Sequence, residues 1–376
     1  MKQKILFWVC NFPNSMGEAT NAFLFSKKVN LDKYSIFFYA ENKSSLYLKS
    51  LSCNLLSKED VFENNFDLII FSEYYRFIRL LKLAEFDNRF IKFIKKTNKI
   101  ASFDTLSLGN TKESINTRLE EIPHLKTIYS NELIDNLNFF CIRPCPINNP
   151  LENNENSFNW SLPTLERNQV QINGIKKVMG CSAQAKILFF SLSIWQYYNV
   201  DEQSKQFFIT LLKSIEEILK KLESEIYFII VSPTELIKTK TSDNLNTIVF
   251  NIGQTNFLQA NFYEQLILSS DLVLTTNFIQ HSFVRAINSG VSAINLRTDD
   301  INNIYLKTNK MFQNSIYTKL FENIEFTKEN DLLSIFQKVL YNQNYMMEKQ
   351  NNYNIFREQL KTLPSENEII EKILSK

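Results

Sequence analysis

Glycine and histidine are scarce in this chain of 376 residues, which contains 6 glycines and 2 histidines. Excess charge is also missing, because 42 basic residues nearly balance 40 acidic ones. That balance gives no field strong enough to hold a nucleic-acid backbone, so we expect no nucleic-acid partner. Apolar runs are short, and none reaches the roughly 18 residues that cross a bilayer, so we predict no transmembrane segment.

The five cysteines are scattered, and only Cys141 and Cys145 lie close together. No histidine or second cysteine pair lies near them to complete a zinc site. An odd, scattered set indicates reduced thiols, and the apolar start of the chain is too short for a secretion signal, so we expect a cytoplasmic protein. Asp299 and Asp300 are adjacent, so their side chains diverge on most backbones. We therefore predict no metal site and no bound cofactor.

The sequence does contain a repeated alternation of short apolar runs and amphipathic stretches. Runs such as Lys4–Cys10, Asp67–Phe71 and Glu225–Val231 indicate buried parallel strands, and the stretches between them indicate crossover helices. We predict an α/β protein of two facing Rossmann-like domains. The other predicted strands are Ser35–Ala40, Lys99–Phe103, Lys126–Tyr129, Phe139–Ile142, Lys186–Leu192, Thr247–Asn251, Asp271–Thr275 and Val291–Leu296.

One segment interrupts the alternation. It begins at Arg143 and is rich in Asn and Pro, a composition that neither helix nor strand tolerates. We predict an N-terminal domain over residues 1–145, a linker over 146–163 and a C-terminal domain over 164–330. Residues 331–376 are predicted to form helices that pack back on the N-terminal domain.

In a doubly wound sheet, ligands lie beyond the carboxyl ends of the strands. Glu18 stands at the start of the first helix, where it can act as a general base or merely offset the helix dipole. Asp104 follows another strand and is a second candidate base or acceptor ligand, although it can equally cap a helix. The loop from Asn11 to Thr20 resembles the first loop of GT-B glycosyltransferases, which closes over the acceptor. Glu18 falls where those enzymes commonly carry a histidine.

A second group follows the first strand of the C-terminal domain: Ser191, Ser193 and Gln196. In GT-B enzymes this position commonly holds a Gly-rich or Ser-containing turn near the donor diphosphate. Glycine is absent from this turn, so the hydroxyl groups have to contribute more of the contact.

Residues 258–296 carry the longest resemblance to the GT-B donor site: a helix, Ser-Asp before a strand, a loop, a second helix, Gly-Val and a strand. The free N–H groups at the second helix start suit a diphosphate, so Asn277, His281 and Ser282 are expected to bind the donor. The family commonly carries a ribose-binding Glu three residues beyond the Ser. Here Arg285 stands instead, either to pair with a phosphate or as a solvated helix residue. The run from Ser282 to Ala286 is similar to one in protein-arginine rhamnosyltransferases, which use a dTDP sugar.

The resemblance implies a metal-independent hexosyltransferase with a UDP- or dTDP-linked nucleotide sugar as donor. The acceptor is unidentified and is expected to be a small molecule, a peptide or a glycan. Two alternatives stay open. One is a sugar-nucleotide epimerase of the same fold. The other is a catalytically silent GT-B-like partner or scaffold protein, which the shortage of glycine and the missing Glu favour.

Overall fold

The structure is a computed structural model, in which the chain forms two compact units. The first unit comprises Met1–Leu162 and Gln359–Lys376, and the second comprises Pro163–Glu358. The residues that the structure describes are 2–10, 16–73, 88–97, 99–104, 139–145, 155–192, 202–252, 258, 260–278, 280–297, 316–325 and 329–376. The predicted strand Lys126–Tyr129 lies outside them.

Within the described residues, the first unit has a six-stranded parallel sheet of order β2-β1-β3-β4-β5-β6. Its strands are β1 (Gln3–Val9), β2 (Tyr34–Ala40), β3 (Leu68–Phe71), β4 (Lys99–Phe103), β5 (Phe139–Cys145) and β6 (Ser157–Ser161). The helices that connect them are α1 (Gly17–Ser26), α2 (Asn42–Ser50), α3 (Lys58–Glu63) and α4 (Asn88–Lys96).

Strand β1 is apolar without interruption from Ile5 to Val9, because both of its faces are covered there. On one face Phe7 packs near Phe25 of α1, with ring centroids 6.0 Å apart. On the other face the Trp8 ring packs against Phe90 of α4 and Tyr39 of β2, with ring centroids 5.2 Å and 4.7 Å apart. The abundant phenylalanines therefore fill the core of this unit.

The second unit has a seven-stranded sheet of order β13-β12-β11-β7-β8-β10-β9 in the described part of the chain. All neighbouring strands are parallel except β9, which pairs antiparallel with β10. The strands are β7 (Lys186–Ser191), β8 (Ile226–Ser232), β9 (Lys240–Ser242), β10 (Leu245–Asn251), β11 (Leu272–Thr275), β12 (Ser292–Arg297) and β13 (Glu322–Glu325). The helices are α5 (Gln169–Val178), α6 (Glu202–Leu219), α7 (Ala260–Ser269), α8 (His281–Asn288), α9 (Glu329–Tyr341) and α10 (Gln343–Lys361), with a 3-10 turn at Ile316–Lys319.

Helices cover both faces of the second sheet. Buried residues of α6 and α9, such as Phe208 and Phe336, form one core with alternate residues of the strands, such as Leu188 and Leu272. On the opposite face Phe189 of β7 packs against Tyr263 of α7, with ring centroids 5.6 Å apart. Helices thus cover both faces of this sheet, and the candidate site lies at the edge formed by the carboxyl ends of its strands.

The last helix, α11 (Glu366–Ser375), belongs to the first unit. The indole Nε1 of Trp160 donates to Glu366 Oε1 at 2.8 Å, and Lys33 pairs with Glu371 at 2.7 Å. A capping box at Ser365 starts the helix. Helix α9 and α10 as far as Glu358 belong to the second unit.

The predicted α/β class with two Rossmann-like sheets is confirmed. Part of the segment predicted as a linker is different, because Ser157–Ser161 forms strand β6 of the first sheet. Its side chains explain the difference, since Phe158 and Trp160 are buried against the core despite the polar residues around them. Among the helices of the described residues, none is long and apolar enough to cross a membrane.

Candidate functional site

The second sheet changes direction at β7. The chain moves from β7 to β8 and β10 on one side, then returns to β11 and β12 on the other. The neighbours β7 and β11 thus lead into crossovers that leave in opposite directions, which opens a crevice beyond their carboxyl ends. The segment after β11 runs directly into α8, so the start of α8 lies at this crevice.

Four polar residues, which we call the switch-point cluster, meet here: Ser191, Tyr263, Gln280 and Ser282. Ser191 Oγ lies 3.0 Å from the Tyr263 hydroxyl, and Gln280 Nε2 donates to Ser191 Oγ at 2.9 Å. The Ser282 side chain also faces the Tyr263 hydroxyl. Burial raises the pKa of the Tyr263 phenol, against the opposing effect of its two serine partners, so the phenol stays neutral. The cluster ties β7, α7 and α8 together.

The segment between β11 and α8 is fixed by its own hydrogen bonds. The backbone N–H of Asn277 donates to Thr275 Oγ1 at 3.0 Å, and that of Gln280 donates to Asn277 O at 2.9 Å. The Thr275 hydroxyl donates to Gln280 Oε1 at 2.9 Å. The Gln280 amide is therefore held from both ends, and α8 begins in one defined place.

Helix α8 begins without a side-chain cap, because the side chain of Gln280 at the N-cap position faces Ser191 instead. The N–H groups of its first turn have no partner within the helix, and the helix dipole adds positive potential there. Gln280 and His281 are half-buried, whereas Ser282 is 3% exposed. This helix end is therefore accessible beside Gln280 and His281, while the Ser282 side chain is buried and faces Tyr263.

His281 is neutral at physiological pH. Burial lowers the pKa of its imidazole to about 3, with a further contribution from the positive charge of Arg285. Its Nε2 atom is buried and has no hydrogen-bond partner in the described part of the chain. The imidazole therefore adds no positive charge at this helix start, and any attraction for an anion comes from the backbone.

The expectation that Arg285 contacts a phosphate is corrected by its surroundings. Its side chain is 2% exposed, Nη2 donates to Glu264 Oε1 at 2.7 Å, and Nη1 donates to the carbonyl oxygen of Pro163. The alternative of a solvated residue is wrong for the same reason. Three positions beyond Ser282, the side chain lies one turn along the helix, where α7 and the Pro163 segment cover it.

Three further outcomes concern the predicted donor residues. Ser191, His281 and Ser282 do come together at the end of β7 and the start of α8. Asn277 takes part through its backbone N–H and carbonyl. Ser193 and Gln196 lie outside the described residues, so their roles stay predictions.

The sequence reasoning missed Tyr263, Gln280 and Glu264. Gln280 directly precedes the predicted helix start, a position where a side chain commonly reaches the helix end. Tyr263 and Glu264 lie in a helix of mixed apolar and polar residues, and only the packing of α7 against α8 shows which way they point. The sequence signal that could have identified Tyr263 and Glu264 was the presence of polar side chains in a helix predicted to pack on the sheet.

In the first unit, the two candidate bases differ in accessibility. Glu18 lies half-buried in the first turn of α1. Asp104 directly follows β4 and is 1% exposed. Burial raises the pKa of the nearby Cys141 thiol well above its usual range, and the Asp104 charge raises it further while that of Arg143 lowers it. Asp104 therefore belongs to a group of buried polar residues, whereas Glu18 is partly exposed to solvent.

Metal-binding side chains do not gather in the part of the chain that the structure describes. No group of three His, Cys, Asp or Glu residues there could hold an ion. Cys10, Cys53, Cys141 and Cys181 are free thiols.

Comparison with known proteins adds a family and a fold. A model described as a family of unknown function (DUF6365) matches residues 57–310. No curated protein matches the sequence. The spinosyn forosaminyltransferase SpnP has a similar structure, with a TM-score of 0.60, 8% identity and 100% of both chains covered.

Two further solved structures share the arrangement. Anabaena HepE in complex with UDP-glucose gives a TM-score of 0.55 at 12% identity, covering 99% of this chain and 100% of that one. The glycosyltransferase SnogD from Streptomyces nogalater gives 0.51 at 6% identity, covering 100% and 99%. Identities this low show the fold alone. The predicted GT-B-like fold is thereby confirmed, and its similar structures include glycosyltransferases.

Proposed function

The chain belongs to the family of unknown function DUF6365, and we propose that it is a glycosyltransferase whose nucleotide-diphosphate sugar binds at the start of α8. The observation that carries the proposal is the uncapped α8 start beside the switch-point cluster, at the crevice where the strand order reverses. An uncapped helix start presents backbone N–H groups to an anion, and a diphosphate is the anion that this class of donor supplies.

The cluster supports this role through its rigidity. Because Gln280 is held by Thr275 and Ser191, the N–H groups of the first turn of α8 are fixed before a ligand arrives. Fixed dipoles stabilise developing charge without reorganising during the reaction. As the bond from the sugar C1 to the diphosphate breaks, the electron pair leaves with the diphosphate and faces these N–H groups. We propose that this support makes transfer independent of a metal ion.

The acceptor oxygen forms its bond to C1 and loses its proton in the same reaction. We propose Glu18 as the general base that takes the proton, because Glu18 is only half-buried while Asp104 is fully buried. Asp104 then has a supporting role within the first unit. The acceptor itself, whether a small molecule, a peptide or a glycan, is the open part of the proposal.

A thermal-shift and calorimetry screen with UDP, dTDP, GDP and their sugars tests the donor site. A nucleotide at a hundred times its Kd is expected to add about 2.7 kcal/mol to the free energy of unfolding. The informative variant is Gln280→Glu, which adds a carboxylate at the helix start where the diphosphate would lie. It fits the fold, because the Ser191 hydroxyl can donate to it and the helix dipole favours a negative charge there.

We expect Gln280→Glu to fold normally and to lose nucleotide binding. Gln169→Glu is the matched control, since it adds the same charge at the exposed first residue of α5 in the same unit. Sugar release that requires an added acceptor, and that persists in EDTA, supports a metal-independent transferase. Sugar conversion without an acceptor would indicate an epimerase. A wild-type protein that binds none of the nucleotides contradicts the proposal and favours the silent partner protein.

A further inference from the structure

A second polar pair lies beside the switch-point cluster on the same two helices. Glu264 follows Tyr263 in α7, and Arg285 lies one turn beyond Ser282 in α8. Glu264 Oε1 accepts a hydrogen bond from Arg285 Nη2 at 2.7 Å. The Tyr263–Ser282 contact and the Glu264–Arg285 contact therefore join the two helices at successive positions.

Arg285 has the geometry of a positioning residue. Its guanidinium is fixed at one end by the Pro163 carbonyl oxygen and at the other by Glu264, and the side chain is 2% exposed. A buried guanidinium is strongly destabilising when its anionic partner is removed. The buried Arg285 side chain therefore depends on its ion pair with the Glu264 carboxylate. In turn, Arg285 selects one orientation for that carboxylate.

Glu264 differs from Arg285 because it is only partly buried. Its side chain is 29% exposed, and Oε2 takes part in no hydrogen bond among the described residues. A carboxylate is an acceptor-only group, which binds hydroxyl and N–H donors and repels phosphate. The exposed oxygen therefore suits the uncharged, hydroxyl-bearing part of a ligand rather than its diphosphate.

We propose that Glu264 binds the ribose hydroxyls of the nucleotide donor and that Arg285 positions it. The inference rests on the proposed function, because it needs a nucleotide at the start of α8. Ribose is covalently next to the diphosphate, and Glu264 is next in sequence to Tyr263, which contacts the α8 start through Ser282. Acidic residues bind ribose hydroxyls in the same way in Rossmann-type dinucleotide sites.

The test compares UDP with its 2′-deoxy and 3′-deoxy analogues by isothermal titration calorimetry. The wild-type protein is expected to bind UDP about tenfold more tightly than at least one deoxy analogue, the usual effect of one hydrogen bond to a charged group. Glu264→Gln keeps the contact with Arg285 but removes the negative charge, and is expected to reduce this ratio. The double variant Glu264→Met with Arg285→Met removes both charges, and is expected to bind UDP and the analogues with equal affinity.

The double variant avoids leaving either charge without its partner, because replacing both members of an ion pair with apolar side chains of similar size is often tolerated. Glu223→Gln is the matched control: it removes an exposed carboxylate just before β8, at the amino edge of the same sheet. Its UDP-to-deoxy ratio is expected to equal that of the wild type.

The two proposals fail in different ways. If the wild-type protein binds no nucleoside diphosphate, the proposed function fails and this inference fails with it. If UDP binds, but the wild type does not discriminate against either deoxy analogue, only the Glu264 assignment is overturned. The same conclusion follows if the discrimination survives unchanged in the double variant.

Discussion

The carboxyl edges of the two sheets are built from different interactions. In the first unit, one serine side chain joins the ends of β1 and β3 to the backbone: Cys10 N donates to Ser72 Oγ at 3.0 Å, and Ser72 Oγ donates to Cys10 O at 3.2 Å. In the second unit, side chains from three elements bind one another in the switch-point cluster. A contact between one side chain and the backbone stabilises a sheet edge, whereas a network of several side chains also fixes polar groups that a ligand can contact. This difference supports the proposal that the donor site lies in the second unit.

The largest expected effect comes from damaging the first unit and asking whether the second still binds. Trp8 is 2% exposed and contacts rings of β2 and α4. Trp8→Ala is expected to cost about 3–5 kcal/mol, through lost burial and the cavity left behind. Calorimetric unfolding should show this loss, while the stabilisation by a nucleotide should persist, because the proposed donor site lies in the second unit.

Phe336→Ala in the core of the second unit is the matched control. It should cost a similar free energy and reduce the nucleotide response as well. Equal loss of nucleotide binding in both variants would show that the two edges are not separable.

Lowering the pH tests the second unit through His281, because the pKa of this imidazole is about 3 in the folded protein against 6.5 for an ordinary imidazole. The unfolded chain therefore takes up the proton first as the pH falls. The stability that neutral His281 contributes is complete above about pH 6.5 and is lost progressively as the pH falls toward 3. At pH 5 the loss in the free energy of unfolding is expected to be about 2 kcal/mol. Urea unfolding at pH 7.5 and pH 5 should show this loss in the wild type and a smaller one in His281→Asn. Equal pH dependence in both proteins would contradict the assignment.

The smallest expected effect comes from one hydroxyl group. Tyr263→Phe removes the contact between α7, Ser191 and Ser282, and is expected to cost about 1 kcal/mol of stability. Tyr227→Phe is the matched control, because its hydroxyl donates to Gly180 O at 3.0 Å away from the site. Both variants should be destabilised to a similar extent, and only Tyr263→Phe should weaken nucleotide binding. A nucleotide Kd unchanged by Tyr263→Phe would remove the cluster from the donor site.

The alternation of apolar runs predicted the elements of both sheets well, because a parallel strand covered on both faces is recognisable without its neighbours. Lys99–Phe103 has the predicted bounds, and the predicted Lys186–Leu192 becomes Lys186–Ser191. Strand β13 was missed because Glu322–Glu325 is short and polar, and it pairs with β12 only at the edge of the sheet. The glycine that follows α8 has a local reason, since Gly290 has φ +73°, the left-handed conformation that glycine commonly adopts just beyond a helix.

For the site, the sequence alone determined where α8 begins and that Ser191, His281 and Ser282 lie near its start. Loops that follow parallel strands meet at one edge, and that follows from strand order along the chain. Only the tertiary structure decided what each side chain faces. Arg285 points into the α7 interface and binds Glu264, while Tyr263 reaches across to Ser191. Those partners come from other crossovers of the sheet, and the angle and depth at which helices pack are set by the whole core rather than by the local sequence.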